Sequence, residues 1–178
     1  GEKVGPLLID LINTSIDGSL EPGAVIWEPP LTVVMVDVKL RDPRRVVVAE
    51  IERVRAEVDV TALLDGAVVL PSVELTRPRL MLEEEADGLN VARAVRPPPG
   101  AAAEEEGGGL TVRVDDVDVQ DGSVTFVRAQ DLRVTARGID LHATVTVDPA
   151  AGRTEVVVAR TRASEGLLWR PDLEVPFA

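Results

Sequence analysis

Apolar and polar residues alternate with a period of two along most of this 178-residue chain. Clear examples are residues 53–60, 110–115, 132–137 and 139–148, where Val, Leu, Ile and Ala alternate with charged residues or Thr. This alternation is typical of β-strands with one face on an apolar core and the other in water. The pattern therefore predicts a mainly β protein.

Helical periodicity is confined to three short stretches. Pro6 suits the first turn of a helix, and the residues behind it place an apolar stripe on one side, made of Leu8, Leu11, Ile12 and Ile16. Asp17-Gly18 should end this helix. Two helical turns are also expected, one at 61–64 with a Thr cap and one that starts at Asn90.

Four positions are predicted to shape the turns between these elements. We expect positive φ at Gly66, which would stop the short helix before it, and at Gly88, which lies in a tight turn. Asn90 is the expected N-cap of the helix after that turn, and Gly122 is expected to lie in a turn of the acidic segment 115–122.

A low-complexity segment at 96–109 combines three Pro, three Glu and a run of Gly without any periodicity. Such a composition offers no apolar surface to pack, so we expect a disordered linker loop. It divides the chain into a helix-plus-β module at 1–95 and a continuation of the sheet at 110–178.

The predicted strands leave a large apolar face without an obvious cover, since three short helices cannot shield a sheet of about nine strands. The sheet could fold on itself as a β-sandwich. Alternatively, a curved antiparallel sheet could form an apolar groove that holds a ligand. The residues expected to line that groove are Val34, Val36, Val38, Val54, Val58, Val60, Leu80, Leu82, Val112, Val114, Val134, Leu141 and Val145.

Composition narrows the range of functions. The net charge is −12 and aromatic residues are only 2% of the chain, which argues against nucleic-acid binding. The chain has no Cys, and its only His, His142, falls on the polar side of its strand. The acidic residues at 115–121 do not have the spacing of a calcium-binding loop. We therefore expect no catalytic residues, metal or cofactor, and no enzymatic activity.

One ordered series of motifs resembles a known family. A strand at 46–54 precedes Leu63-Leu64-Asp65-Gly66, and a second strand contains Arg77-Pro78-Arg79-Leu80-Met81-Leu82. A charged segment and Asp87-Gly88-Leu89-Asn90 then start a short helix. This order is similar to the N-terminal module of the AsmA-like family (TamB and its relatives). Leu40-Arg41-Asp42-Pro43 and the segment 117–124 also look like that family.

The resemblance implies a repeating β-groove that binds or conducts lipid. Family members are held in the inner membrane of diderm bacteria by a helix, which would lie outside this segment, and their groove lies in the periplasm. The implied function is phospholipid transport between the inner and outer membranes of the cell envelope, with a role in outer-membrane biogenesis. The implied partners are phospholipid acyl chains and either the rest of a longer groove or an envelope protein. The alternative is a structural β-sandwich module of an envelope protein without a ligand.

Overall fold

A computed structural model describes residues 4–64, 67–99, 112–128, 132–148, 153–170 and 173–177. The described residues form three helices: α1 (Val4–Ser15), α2 (Val60–Leu64) and α3 (Asn90–Val95). They also form the strands β1 (Ser19–Glu21), β2 (Ala24–Glu28), β3 (Thr32–Arg41), β4 (Val47–Glu57), β5 (Val68–Leu70), β6 (Val73–Glu85), β7 (Gly88–Leu89), β8 (Val112–Arg128), β9 (Leu132–Asp148), β10 (Arg153–Arg162), β11 (Glu165–Arg170) and β12 (Leu173–Phe177). The predicted mainly β class is confirmed.

These twelve strands belong to one curved sheet that does not close on itself. Its main order is β1-β3-β4-β6-β8-β9-β11-β12, while β2, β5, β7 and β10 pair beside this path with β3, β8, β6 and β9. The expected curved sheet is therefore present. The described strands do not divide into the two packed sheets of a sandwich.

Two pairings differ from the expected antiparallel pattern. β6 and β5 both run parallel to β8, with Leu75 beside Val119 and Val68 beside Val112. A parallel pair needs a long crossover, and the chain between Glu85 and Val112 supplies one that includes β7 and α3. The predicted linker 96–109 falls within this crossover, and its residues 100–109 lie outside the described residues.

A row of residues with left-handed backbone crosses the sheet. Asp37 in β3, Arg77 in β6, Asp121 in β8 and Gly138 in β9 all have φ between 48° and 59°. One such residue per strand changes which side chains face the core. In β3 the core contains Val33 and Met35 before Asp37 but Val38 after it, which is a change from odd to even positions.

Helix α1 covers one end of the sheet. Leu8 is buried in a cluster with apolar residues of β3, β4, β5 and β6, and Ile9, Leu11 and Ile12 pack around it. The predicted helix is thus confirmed, with its last residue at Ser15. The backbone N–H groups of Asp17 and Gly18 donate to the carbonyls of Arg96 and Ala94, which ties the end of α1 to the end of α3.

Asn90 does more than the expected helix cap. Leu89 is the N-cap residue, and its side chain makes no capping bond. The Asn90 Oδ1 accepts from the Val91 N–H at the start of α3 at 2.8 Å. The buried Asn90 amide also donates to the Met81 carbonyl at 2.8 Å, and its Oδ1 accepts from the Glu83 N–H at 3.0 Å, so the side chain joins the start of α3 to the backbone of β6.

The remaining predicted turn positions have three different outcomes. Gly88 has the expected positive φ, at 107°. Gly122 does not lie in a turn, because β8 continues through it and its φ is not positive; the left-handed residue is its neighbour Asp121. Gly66 lies outside the described residues. β9 and β10 form an antiparallel pair, with Arg153 opposite Asp148.

Candidate ligand-binding face

The apolar face that starts beneath α1 continues beyond it. Leu75 of β6 packs against the α1 cluster, and strand register places Val119 of β8 beside Leu75 and Leu141 of β9 beside Val119. On the other side of the row of left-handed residues, Leu82, Phe126 and Val134 form a second row across the same three strands. Both rows consist of half-buried side chains without any charged residue.

The predicted groove residues separate into a closed part and an open part. Val38, Val54 and Val58 belong to the buried cluster that contains Leu8, so they form a packed core under the helix. Six others are half-exposed and share the apolar face on the far side of that core: Leu80, Leu82, Val114, Val134, Leu141 and Val145.

Three of the remaining predicted groove residues are not part of this face. Val34 and Val36 lie opposite Arg55 and Arg53 of β4, on the other face of the sheet, so their placement with Val38 was wrong. The strict alternation fails there because Asp37 is left-handed. Val60 is the first residue of α2 rather than a strand residue. The fourth, Val112, begins β8 opposite Val147, two residues before Val114, so the register places it on the same face as Val114.

The opposite face of the sheet carries the charged residues. Arg55 lies within 3.6 Å of both Glu28 and Glu74, and Arg77 contacts Glu52 at 2.6 Å. These pairs join neighbouring strands at the surface, where each contributes little stability. The two faces therefore differ in composition: this one carries exposed ion pairs together with the buried Val34, whereas the two rows on the other face contain only apolar side chains.

A buried ionic cluster fixes α3 to the turn between β3 and β4. Arg93, only 5% exposed, contacts Asp87 at 2.8 Å, Glu85 at 3.0 Å and Asp42 at 3.5 Å. Hydrogen bonds from Arg44 and then Arg93 lower the pKa of the Glu85 carboxyl below its ordinary value. These contacts link α3 to the β3–β4 turn and to β6, while Arg93 Nε has no hydrogen-bond partner among the described atoms.

The described residues contain no group of three His, Asp or Glu side chains suitable for a metal ion. His142 lies on the polar face and contacts Asp116 at 3.1 Å, in a half-exposed surface pair. A cavity of about 220 Å³ is lined mainly by charged residues, among them Lys39, Glu50 and Arg79. For an apolar ligand, the candidate site in the described part of the chain is the apolar face.

The sequence did not show that α1 would cover one part of the apolar face and leave the other part open. The apolar stripe on α1 was the available signal, because a helix with such a stripe must pack on something apolar. The periodicity did not show which strands it would cover. The helix occupies the β2–β6 end and leaves the β8–β9 end open.

Comparison with known proteins gives no family assignment: no family model and no curated protein matches this sequence. None of the helices within the described residues is long and apolar enough to cross a bilayer.

Proposed function

We propose that this chain is a lipid-binding groove module, and that acyl chains lie on the open apolar face of β6, β8 and β9. The observation that carries the proposal is the continuous row of half-buried, uncharged side chains from Leu75 through Val119 to Leu141, on a single sheet. A flexible hydrocarbon chain fits such a surface because its binding needs apolar area and no directed polar contacts.

Burial of the acyl chain would supply the driving force for binding. Removal of a methylene group from water contributes about 0.8 kcal/mol, so about ten methylenes would contribute about 8 kcal/mol before the cost of immobilisation. A phospholipid headgroup can remain in water beyond the rim of the face. The covered part under α1 is packed by protein, so the ligand should occupy only the open face of β6, β8 and β9.

The motifs that resemble the AsmA-like family extend this proposal to a biological setting. On that basis, the module would conduct phospholipid through the periplasm between the inner and outer membranes. It would be one segment of a longer groove or would join an envelope partner. The open ends of the sheet are compatible with such an extension, because β12 and β1 are the terminal strands of the main path.

The direct test is to purify the protein, extract it with organic solvent and measure phospholipid per mole of protein. The test variant is Leu141→Arg, which places a charge in the centre of the open face. We expect bound phospholipid to fall several-fold, while the free energy of unfolding falls by only about 1–2 kcal/mol because the arginine can reach water from a half-exposed site.

The matched control is His142→Arg, which adds the same side chain one residue away on the opposite face. It should leave bound phospholipid unchanged. Two results would contradict the proposal: a wild-type protein that carries and takes up no phospholipid, or equal lipid retention in Leu141→Arg and wild type. The first result would favour a structural sheet module without a ligand.

A further inference from the structure

Strand β10 exposes apolar residues on both of its faces. Val156, Val157 and Val158 are 56%, 55% and 51% exposed. Val156 and Val158 lie opposite Val145 and Ala143 of β9 and so share the apolar face, whereas Val157 lies opposite Thr144 on the polar face. The exposure of Val156 and Val158 belongs to the open apolar face, whereas Val157 is an apolar residue exposed on the polar face at the edge of the sheet.

Within the described part of the chain, β10 pairs along one side only, with β9. Proteins usually protect such an edge with Pro, inward charges or a short strand, because free N–H and C=O groups can pair with another chain. β10 has ten residues, with no Pro and no charge among its three central valines, and its register irregularity against β9 lies beyond them, between Val158 and Arg160. Its edge is therefore suited to accept another strand.

The neighbouring strand shows where an added strand would lie. β11 follows β10 along the same side of β9, and β12 pairs with the outer side of β11. β10 and β11 run in the same direction, because both are antiparallel to β9. β12 is antiparallel to β11, and the position beside β10 lies on the same outer side as β12. A strand in that position would run antiparallel to β10 and extend an arrangement that the sheet already uses.

The charge of β10 indicates which kind of strand would fit. β10 contains Arg153, Arg160 and Arg162 against a single acid, Glu155, in a chain whose net charge is −12. Two copies of β10 would bring six arginines together, so self-pairing is disfavoured. We propose that β10 binds an extended protein strand with β-branched residues in its centre and carboxylates at its ends.

The probe is a dye-labelled, terminally blocked peptide of sequence Glu-Val-Thr-Val-Thr-Val-Glu, with binding measured by fluorescence anisotropy. We expect one-to-one binding to the wild-type protein. The double variant Arg160→Glu with Arg162→Glu should weaken it about tenfold or more, because like charges would then face each other. A peptide with Lys in place of both Glu residues should reverse this preference.

Two controls separate strand addition from simple charge attraction. Arg133→Glu with Arg137→Glu makes the same charge change on β9, which pairs on both sides in that region, and should leave the affinity unchanged. A peptide N-methylated at alternate residues keeps its charges but loses backbone donors, and it should not bind. Since the substituted arginines are exposed, the variants should melt at the wild-type temperature.

The proposal would be overturned if the acidic peptide failed to bind or if the double variant bound it as tightly as wild type. Sedimentation of the wild-type protein alone provides a further check. A dimer that dissociates on Val157→Lys would show that a second copy occupies the β10 edge, which would also overturn it. These outcomes do not depend on phospholipid, so they are independent of the groove proposal.

Discussion

Gly138 in β9 allows a quantitative test of the left-handed residues that cross the sheet. Its φ is +59°, and a Cβ added there would overlap Ser164 Oγ and lie 3.0 Å from Ser164 Cβ. The Ser164 hydroxyl donates to the Arg137 carbonyl at 3.3 Å. Gly138→Ala should therefore impose both a backbone cost and a steric cost at the same point.

The two costs can be estimated separately. A left-handed backbone costs an alanine about 1 kcal/mol relative to glycine. Displacement of the Ser164 hydroxyl loses one hydrogen bond, about another 1 kcal/mol. We expect Gly138→Ala to lower the free energy of unfolding by about 2 kcal/mol, measured by urea titration with circular dichroism and tryptophan fluorescence.

The same substitution in a Ser164→Gly protein separates the backbone cost from the steric cost. In a Ser164→Gly protein the steric part is absent, so Gly138→Ala should cost only about 1 kcal/mol there. Asp121 is left-handed like Gly138, so Asp121→Gly should leave the free energy of unfolding unchanged or raise it by up to about 1 kcal/mol. An equal cost of Gly138→Ala in both backgrounds would refute the contact with Ser164.

Three further predictions concern α1, the Asn90 side chain and the ion pairs of Glu85. Leu8→Ala should cost about 3 kcal/mol in a urea titration because Leu8 is 1% exposed, whereas Leu7→Ala, at a 53% exposed site, should change stability by less than about 0.5 kcal/mol. Asn90→Ala should cost about 2–3 kcal/mol by leaving two β6 backbone groups unpaired, and amide exchange of Glu83 should accelerate. Because the pKa of Glu85 is lowered in the folded protein, its contribution to stability is present above the ordinary pKa of Glu and is lost as the pH falls through the lowered value. Removal of its first hydrogen-bond donor in Arg44→Gln should flatten that acid-side loss of stability, and an unchanged pH profile would contradict this assignment.

The sequence by itself determined the class of the fold and most element positions. Val54, Ala56 and Val58 share the apolar side as the alternation predicts, and α1 follows the stripe that starts at Leu8. These features are local, because strand alternation and helix periodicity depend on residues only a few positions apart. Gly88 was also predictable, since a tight turn with positive φ favours glycine.

Only the tertiary structure decided how those elements are arranged. Asp37, Arg77 and Asp121 are left-handed although none is a glycine, so the sequence did not mark these positions. The alternation therefore did not show that Val34 and Val36 lie on the other face of the sheet from Val38. The same is true of the parallel pairing between β6 and β8, which depends on contacts across a long crossover. Such contacts depend on the packing of residues far apart in sequence, and for that reason no local pattern could specify which part of the apolar face α1 would cover.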